Sequence, residues 1–184
     1  MKKLADTITQ NLIQEVKQGV LISLDFILSK YEKNDIFAYV LYIDDYCQYL
    51  GWAANTISHY ETLKQSLPTE EHAFIKWYYS EFSIGTGEGP DEIDKPFNQD
   101  IQKILDEVQN LIDDENFEII QANVYDSIIE GFKLAIYETN KDNIENITFY
   151  VSLADSDNAE IMENYSAEKL NSAEKFLLFK NRYS

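Results

Sequence analysis

Two adjacent aspartates, Asp44 and Asp45, follow a run of eight apolar or aromatic residues and are the first candidates for chemistry. Carboxylates at the end of a strand are suitable ligands for Mg²⁺ or Ca²⁺. Neighbouring residues of a strand point to opposite faces, however, so the two can share one site only where the chain turns. A hairpin turn is the simpler interpretation. Together with Glu81, the pair defines an alternative hypothesis, in which a small enzyme or ligand-binding domain uses carboxylates in a pocket beside a sheet.

Two further segments begin like known binding loops but lack the residues that those loops need. Residues 155–160 open like a calcium loop, yet Ala159 stands where the third ligand belongs and Glu160 where glycine is required. The segment Gly85-Thr-Gly87-Glu-Gly89 is not followed by the Lys-Ser or Lys-Thr of a phosphate loop, and Glu88 would repel phosphate. We therefore interpret the first as a helix-capping turn and the second as a flexible loop.

Cys47 is the only cysteine and therefore the only candidate thiol nucleophile. His59 or His72 would have to lie beside it as the base. The nearby Asp45 raises rather than lowers a thiol pKa, which argues against an activated nucleophile. The same three residues lack the paired spacing of a zinc site. The sequence thus predicts no catalytic residue, no metal and no cofactor.

The strongest compositional feature is charge. Asp and Glu number 33 against 15 Lys and Arg, a net charge of −18. Residues 88–115 contain ten acidic and two basic residues, a net of −8. Such a surface repels phosphate, which argues against nucleic acid and anionic membranes as partners, and it attracts a basic protein. The simpler alternative is that the charge only keeps the chain soluble.

Aromatic residues near this acidic segment are candidate interface anchors. Trp and Tyr are favoured at the centres of interfaces, although most such residues belong to the core. The leading hypothesis is a non-enzymatic interaction protein that binds a basic partner, and a homo-oligomer is a further hypothesis. The residues assigned to the interaction are Trp77, Tyr78, Tyr79, Glu81, Glu88, Asp91, Glu92 and Asp94.

The element that must position these residues is the apolar run at 36–43. It is too short to span a membrane and reads as a strand buried on both faces, with Phe37, Tyr39, Leu41 and Ile43 on one side. A turn at Asp44 and Asp45 leads into a second strand at 48–53, which gives a hairpin. A strand with one buried face is predicted at 147–153.

Amphipathic helices are predicted at 4–31, 55–65, 101–112 and 123–139, and two short helices end the chain. Thr7 and Gln10 offer a capping box for the first, and Asn98 a cap for the helix at 101–112. Residues 74–79 fit either helix or strand, and residues 83–97 form a Gly/Pro-rich loop. We predict a single α+β domain over 1–184, with a mostly antiparallel sheet and a central buried strand covered by amphipathic helices.

The cellular compartment is predicted from the lack of a signal-peptide pattern in the first residues. Residues 1–6 do not lead into the apolar core of roughly 7–15 residues that a signal peptide needs. The most apolar early stretch, 20–28, is interrupted by Asp25, and the single cysteine leaves no intrachain disulfide. We expect a cytoplasmic protein.

Three segments carry a family resemblance: Phe37-Ala-Tyr-Val-Leu-Tyr-Ile-Asp44, Ala53-Ala54-Asn55-Thr56 and Trp77-Tyr78-Tyr79-Ser80-Glu81. With the strand at 147–155, they make most of the chain similar to a bacterial family known as domain of unknown function 4303. The family has no assigned reaction, so the resemblance implies no catalytic residue. It implies a single-domain bacterial cytoplasmic protein related to immunity proteins of contact-dependent toxins. An immunity or antitoxin-like role is therefore the most concrete form of the interaction hypothesis.

Overall fold

The computed structural model describes residues 4–87 and 89–183. Its elements, in chain order, are α1 (Asp6–Lys30), β1 (Ile36–Asp44), β2 (Leu50–Thr56), α2 (Ile57–Lys64), α3 (His72–Trp77), β3 (Ile84–Gly85), α4 (Asp91–Lys95), α5 (Gln102–Gln109), α6 (Phe117–Glu138), α7 (Lys141–Ile144), β4 (Thr148–Ala154), α8 (Ala159–Leu170) and α9 (Ala173–Lys180). Short 3₁₀ turns occupy Thr69–Glu71 and Tyr79–Glu81, and a π-helical turn, Pro96–Ile101, joins α4 to α5.

The four strands form one mixed sheet in the order β3-β2-β1-β4. β1 pairs antiparallel with β2, and β2 pairs antiparallel with the short β3. β4 runs parallel to β1, with Val40 opposite Tyr150. The α+β class is confirmed, but the expectation of a mostly antiparallel sheet is corrected to a mixed one. Several helices separate β1 from β4, so the connection is long enough for the two strands to pair either parallel or antiparallel. The alternation of apolar and polar residues in β4 does not indicate which of the two pairings forms.

β1 lies between β2 and β4 and is buried along most of its length. Tyr39, Leu41 and Ile43 belong to the larger hydrophobic core on one face, while Ala38 and Val40 belong to a smaller core on the other. The register shifts between Ile36 and Ala38. Phe37 therefore lies with the smaller core rather than with Tyr39, as simple alternation predicted, because an irregularity in a ladder reverses the side-chain faces on one side of it.

β4 is buried on both faces, and the prediction of one buried face is wrong. Phe149 and Val151 enter the larger core, and Tyr150 enters the smaller one. As an edge strand, β4 also needs partners for its outer backbone groups. Ser166 accepts a hydrogen bond from the Val151 N–H at 2.8 Å, and the Asn171 side chain bonds both the N–H and the carbonyl of Phe149. Side chains from α8 and the residue after it thus replace a further strand.

The larger core is covered by α1 and α6, which cross closely at Gly131. A Cβ atom at this position would lie 2.5 Å from the Ile13 carbonyl oxygen and 2.9 Å from the Val16 Cβ. Only glycine allows the two helix backbones to approach so closely, and this contact fixes the layer that packs on the sheet. None of the described helices combines the length and the hydropathy that crossing a bilayer requires.

Several helix ends differ from the sequence predictions. α1 begins after Ala5 with no side-chain cap, so the Thr7 capping box does not form. Within the predicted loop at 83–97, the chain forms β3, α4 and the start of the π-helical turn, which places Asn98 inside a helical segment instead of at a cap. α6 begins at Phe117 rather than Asn123. The ambiguous segment at 74–79 is helical to Trp77.

Candidate functional site

A cleft of about 550 Å³ opens at the carboxyl ends of the parallel strands β1 and β4. One wall is the turn after β1, with Asp45 and Tyr46. A second is the first half of α6, and the third is the end of β4 with α8. The side chains lining it are Asp45, Tyr46, Phe117, Glu118, Gln121, Tyr125, Leu153, Asn158, Ile161, Met162 and Tyr165. The strand ends therefore bring together residues that are far apart in the sequence.

The backbone beside this cleft is held in unusual conformations. Cys47 and Asp155 have φ values of 57° and 55°, and they are the non-glycine residues with positive φ in the part of the chain that the structure describes. The left-handed conformation costs about 1–2 kcal/mol for a residue with a side chain. Each residue follows the end of one of the two parallel strands. The strain is thus confined to the turns that form the cleft.

Side-chain hydrogen bonds hold the turn after β1 in place. The Asp44 carboxylate accepts hydrogen bonds from the N–H groups of Gln48 at 2.6 Å and Tyr49 at 3.2 Å. Gln121 donates to the Asp45 carbonyl at 2.6 Å, and Gln109 donates to the Tyr46 carbonyl at 2.6 Å. Asp44 is thereby engaged within the turn, whereas the side chain of Asp45 faces the cleft.

Tyr125 places a buried hydroxyl in the wall of the cleft. The residue is 8% exposed, and the Cys47 thiol lies beside its hydroxyl. Burial raises the pKa of this hydroxyl, and the nearby Cys47 and Asp45 raise it further. The neighbouring Cys47 thiol is also buried, and burial together with Asp44 raises its pKa to about 12.

The chemistry of the cleft suits a cation. Asp45 and Glu118 supply negative charge, and the rings of Tyr46, Phe117 and Tyr165 supply aromatic faces. The Tyr46 and Phe117 ring centroids lie 6.0 Å apart. A guanidinium or ammonium group is stabilised both by carboxylates and by aromatic faces. No group of three or more potential metal ligands occurs within residues 4–87 and 89–183.

A series of exposed carboxylates precedes the α6 wall of this cleft in the sequence, and we call it the acidic surface. We define it as the exposed carboxylates of α4, α5 and the segments around them: Asp91, Glu92, Asp100, Asp106, Glu107, Asp113, Asp114 and Glu115. The ion pairs between described residues join Lys17 to Glu138, Lys64 to Glu61, Lys169 to Asp126 and Arg182 to Glu163. None of them neutralises this surface. Its last member, Glu115, is followed closely by Phe117 and Glu118 of the cleft wall.

The acidic residues assigned from the sequence have different environments. Asp91 and Glu92 are exposed on α4, and Glu88 lies outside the described residues. Asp94 is 4% exposed, and its carboxylate accepts hydrogen bonds from the Trp52 indole N–H at 2.9 Å and the Gly87 N–H at 2.7 Å. Asp94 therefore joins the β3 segment to the core and is not part of the acidic surface.

The aromatic residues assigned from the sequence pack on the smaller core instead. Trp77 contacts Phe37 and Phe179 edge-on, with centroid distances of 5.6 and 5.1 Å. Tyr79 stacks on Tyr42 at 4.5 Å. Tyr78, the third member, is half-buried and stacks on Phe74 at 4.6 Å. α4 packs on α1, which covers the other face of the sheet, so the aromatic and acidic residues do not form one surface.

The three carboxylates of the alternative pocket are also separated. Asp45 lines the cleft, whose wall includes neither Asp44 nor Glu81. The Glu81 carbonyl accepts a hydrogen bond from His59 of α2. Because α2 begins beside the start of β1, Glu81 lies at the opposite end of this strand from Asp44 and Asp45. Tyr125 and Gln121 of the wall were not predicted as site residues. Tyr125 lies in the helix predicted at 123–139, and no sequence signal indicates that its side chain lines a cleft.

Comparison with known proteins identifies the family. The chain belongs to the family described as Domain of unknown function (DUF4303), whose model matches residues 16–172. The match covers the segment from within α1 to the residues after α8 and includes the whole sheet. No curated protein matches the chain, and no solved structure does.

Proposed function

We propose that this protein is a non-enzymatic binding protein for a basic protein partner. The observation that carries the proposal is the run of exposed carboxylates, without ion pairs to the described residues, that leads into an aromatic cleft with its own carboxylates. The acidic surface attracts the partner, and the cleft receives a lysine or arginine side chain from it. The cleft is the specific part of the interface, because exposed charges mainly accelerate association.

The charge of residues 91–115 supports a role for the acidic surface in attracting the partner. Residues 91–115 contain nine acidic residues and two basic ones, Lys95 and Lys103, which gives a net charge of −7. A surface of one sign raises the association rate with an oppositely charged protein by about 10–1,000-fold at low ionic strength. Bound in the cleft, a cationic side chain would be close to the carboxylates of Asp45 and Glu118, which both line it.

The most concrete form of the proposal is an immunity or antitoxin-like role in the bacterial cytoplasm. A toxin that acts on nucleic acid needs a basic substrate surface, because phosphate contacts dominate its affinity. A protein that covers this surface with carboxylates would block substrate binding without any catalytic group of its own.

The test compares two variants with the same change in charge. D114N/E115Q removes two exposed carboxylates of the acidic surface, and E70Q/E71Q removes two exposed carboxylates of the distant Thr69–Glu71 turn. Asp113 is left intact because its carboxylate accepts hydrogen bonds from the N–H groups of Glu115 and Asn116. The immobilised wild-type protein captures partners from the source organism, and the affinity of the recovered partner is then measured by titration calorimetry.

We expect a recovered partner with a basic surface, whose affinity falls at least several-fold for D114N/E115Q and stays unchanged for E70Q/E71Q. Raising the salt concentration from about 50 mM to about 300 mM should weaken the complex, since exposed charges are screened over a shorter distance. Asp45→Asn, which alters the cleft alone, should mainly increase the dissociation rate. Tight binding that is indifferent to salt and to both carboxylate pairs would refute the electrostatic basis of the proposal.

A further inference from the structure

A separate cavity of about 730 Å³ lies on the other face of the sheet, where β1 and β4 begin. Phe37 and Thr148 form its floor, and α2, α3 and α9 form its sides. Its apolar walls include four aromatic side chains, from Phe37, Tyr60, Trp77 and Phe179. Cavities of this volume and character are typical of small-molecule sites. Its charge differs from that of the rest of the molecule.

This cavity collects positive charge in a strongly acidic protein. Lys76, Lys175, Arg182 and His72 belong to its wall, together with one carboxylate, Glu61. Glu61 forms an ion pair with Lys64 at 2.8 Å, and Arg182 forms one with Glu163 at 2.7 Å, so the unpaired positive charge of the wall is that of Lys76 and Lys175. In a chain with 33 acidic residues and 15 lysines and arginines, a random part of the surface would carry the opposite sign. The wall is therefore suited to an anion.

The two lysines leave hydrogen-bond donors available. The Lys76 ammonium lies 5.2 Å from the Trp77 ring centroid and 5.8 Å from those of Phe37 and Tyr60, and it forms no ion pair with a described residue. Lys175 donates one hydrogen bond, to the Ile147 carbonyl at 2.8 Å. Because an ammonium carries three donors, both lysines can bind further acceptors.

Arg182 contributes an unpartnered donor to the same wall. Its side chain is 0% exposed, and its Nη2 atom donates to Glu163 at 2.7 Å while Nη1 donates to Asn164 at 2.7 Å. The remaining Nε–H group has no partner among the described residues. Buried donors without partners are uncommon in folded proteins, and this one belongs to a residue that lines the cavity.

We propose that this cavity binds a small anion that carries a flat aromatic group. The aromatic group would pack among the rings of Tyr60, Trp77 and Phe179, and the anionic group would lie at Lys76 and Lys175. Lys175 also lines an adjoining cleft of about 430 Å³ with Lys133, Lys141, Lys169 and one carboxylate, Glu145, and Lys169 forms an ion pair with Asp126. A ligand with phosphate groups could extend towards these lysines. Nucleotides and aromatic carboxylates share the required chemistry. This site is independent of the interface proposed above.

The experiment measures binding of four probes to the full-length protein by titration calorimetry. Adenosine monophosphate and naphthalene-2-carboxylate combine an aromatic group with negative charge, adenosine has the ring without the charge, and inorganic phosphate has the charge without the ring. Each is titrated into the wild type, into K76M/K175M, and into K95M/K103M. The last variant removes the same number of charges from exposed lysines on α4 and α5.

We expect at least one aromatic anion to bind at least tenfold more tightly than adenosine or phosphate, and K76M/K175M to lose at least tenfold in affinity while K95M/K103M retains it. Preference for adenosine monophosphate assigns a nucleotide site, and preference for the naphthalene compound assigns an aromatic carboxylate site. Because Lys175 also bonds the Ile147 carbonyl, K76M alone is measured as well and should lose several-fold. Failure of both aromatic anions to bind at millimolar concentration, or equal binding to the lysine variants and the wild type, would overturn the proposal.

Discussion

Replacing Arg182 with methionine should destabilise the protein by about 3–5 kcal/mol, because it removes one member of a buried ion pair. The Arg182 and Glu163 side chains are 0% and 8% exposed, and Nη2 and Oε2 lie 2.7 Å apart. The other Glu163 oxygen accepts a hydrogen bond from Ser152 at 2.7 Å. The Phe179 ring centroid lies 4.1 Å from the Arg182 guanidinium carbon, and methionine would retain apolar contact with this ring. The loss of stability should therefore come mainly from the Glu163 carboxylate, which stays buried without its cationic partner.

The pH dependence of this destabilisation follows from Glu163. Burial raises the pKa of its carboxyl group, while Ser152 and Arg182 lower it. Without Arg182 the folded-state pKa should rise further above the unfolded value. The folded state then binds more protons than the unfolded state between the two values, so the free energy of unfolding increases as the pH falls through that window. The difference in stability between Arg182→Met and wild type should thus be smaller at about pH 5 than at about pH 7.

Urea unfolding followed by circular dichroism measures both effects. The matched control is the double variant E163Q/R182M, in which the neutral amide can still bond Ser152 and no buried charge remains. It should recover a large part of the lost stability, since replacing a whole buried pair is often nearly neutral. A loss below about 1 kcal/mol for Arg182→Met, or a loss that is the same at both pH values, would refute the reasoning.

Three further perturbations test other parts of the fold. Gly131→Ala should lower the free energy of unfolding by about 1–3 kcal/mol, because the new methyl group would meet the Ile13 carbonyl in the α1–α6 contact; thermal unfolding measures this. Trp52→Phe should cost about 1–3 kcal/mol, since the buried Asp94 carboxylate loses one of its hydrogen bonds, and chemical denaturation would detect the change. Cys47, buried and with its pKa raised to about 12, should resist a disulfide reagent at about pH 8 and react fully in urea; rapid reaction of the folded protein would contradict its burial.

Elements with strong hydrophobic patterns were predictable from the sequence. β1 was expected from eight consecutive apolar residues, and α1 from an apolar ladder with helical spacing. Local sequence patterns were less informative at positions whose burial is determined by tertiary contacts. Ser152 and Thr148 alternate with apolar residues in β4 and suggested a solvent-facing side, yet both are buried. Ser152 is satisfied by Glu163, a residue of α8 whose location the strand sequence cannot reveal.

The candidate sites were harder to predict than the fold, because each is assembled from distant segments. The cleft at the carboxyl ends of β1 and β4 depends on the parallel pairing of these strands, which the sequence analysis did not foresee. Only Asp45 of its wall had been considered. Trp77 was assigned to an interface because of its residue type, and it lies in the wall of the cavity on the smaller core.

The two signs of charge are unevenly distributed along this chain. Solubility depends on the net charge and does not require that the two signs be segregated. Residues 91–115 carry only Lys95 and Lys103, whereas the two adjoining cavities at the start of β4 share six of the 15 lysines and arginines: Lys76, Lys133, Lys141, Lys169, Lys175 and Arg182. Like charges placed together repel one another, and among these six only Lys169 and Arg182 form ion pairs with described residues, Asp126 and Glu163. The two ligands of opposite sign proposed above would offset the repulsion within the acidic surface and among the lysines of the cavities.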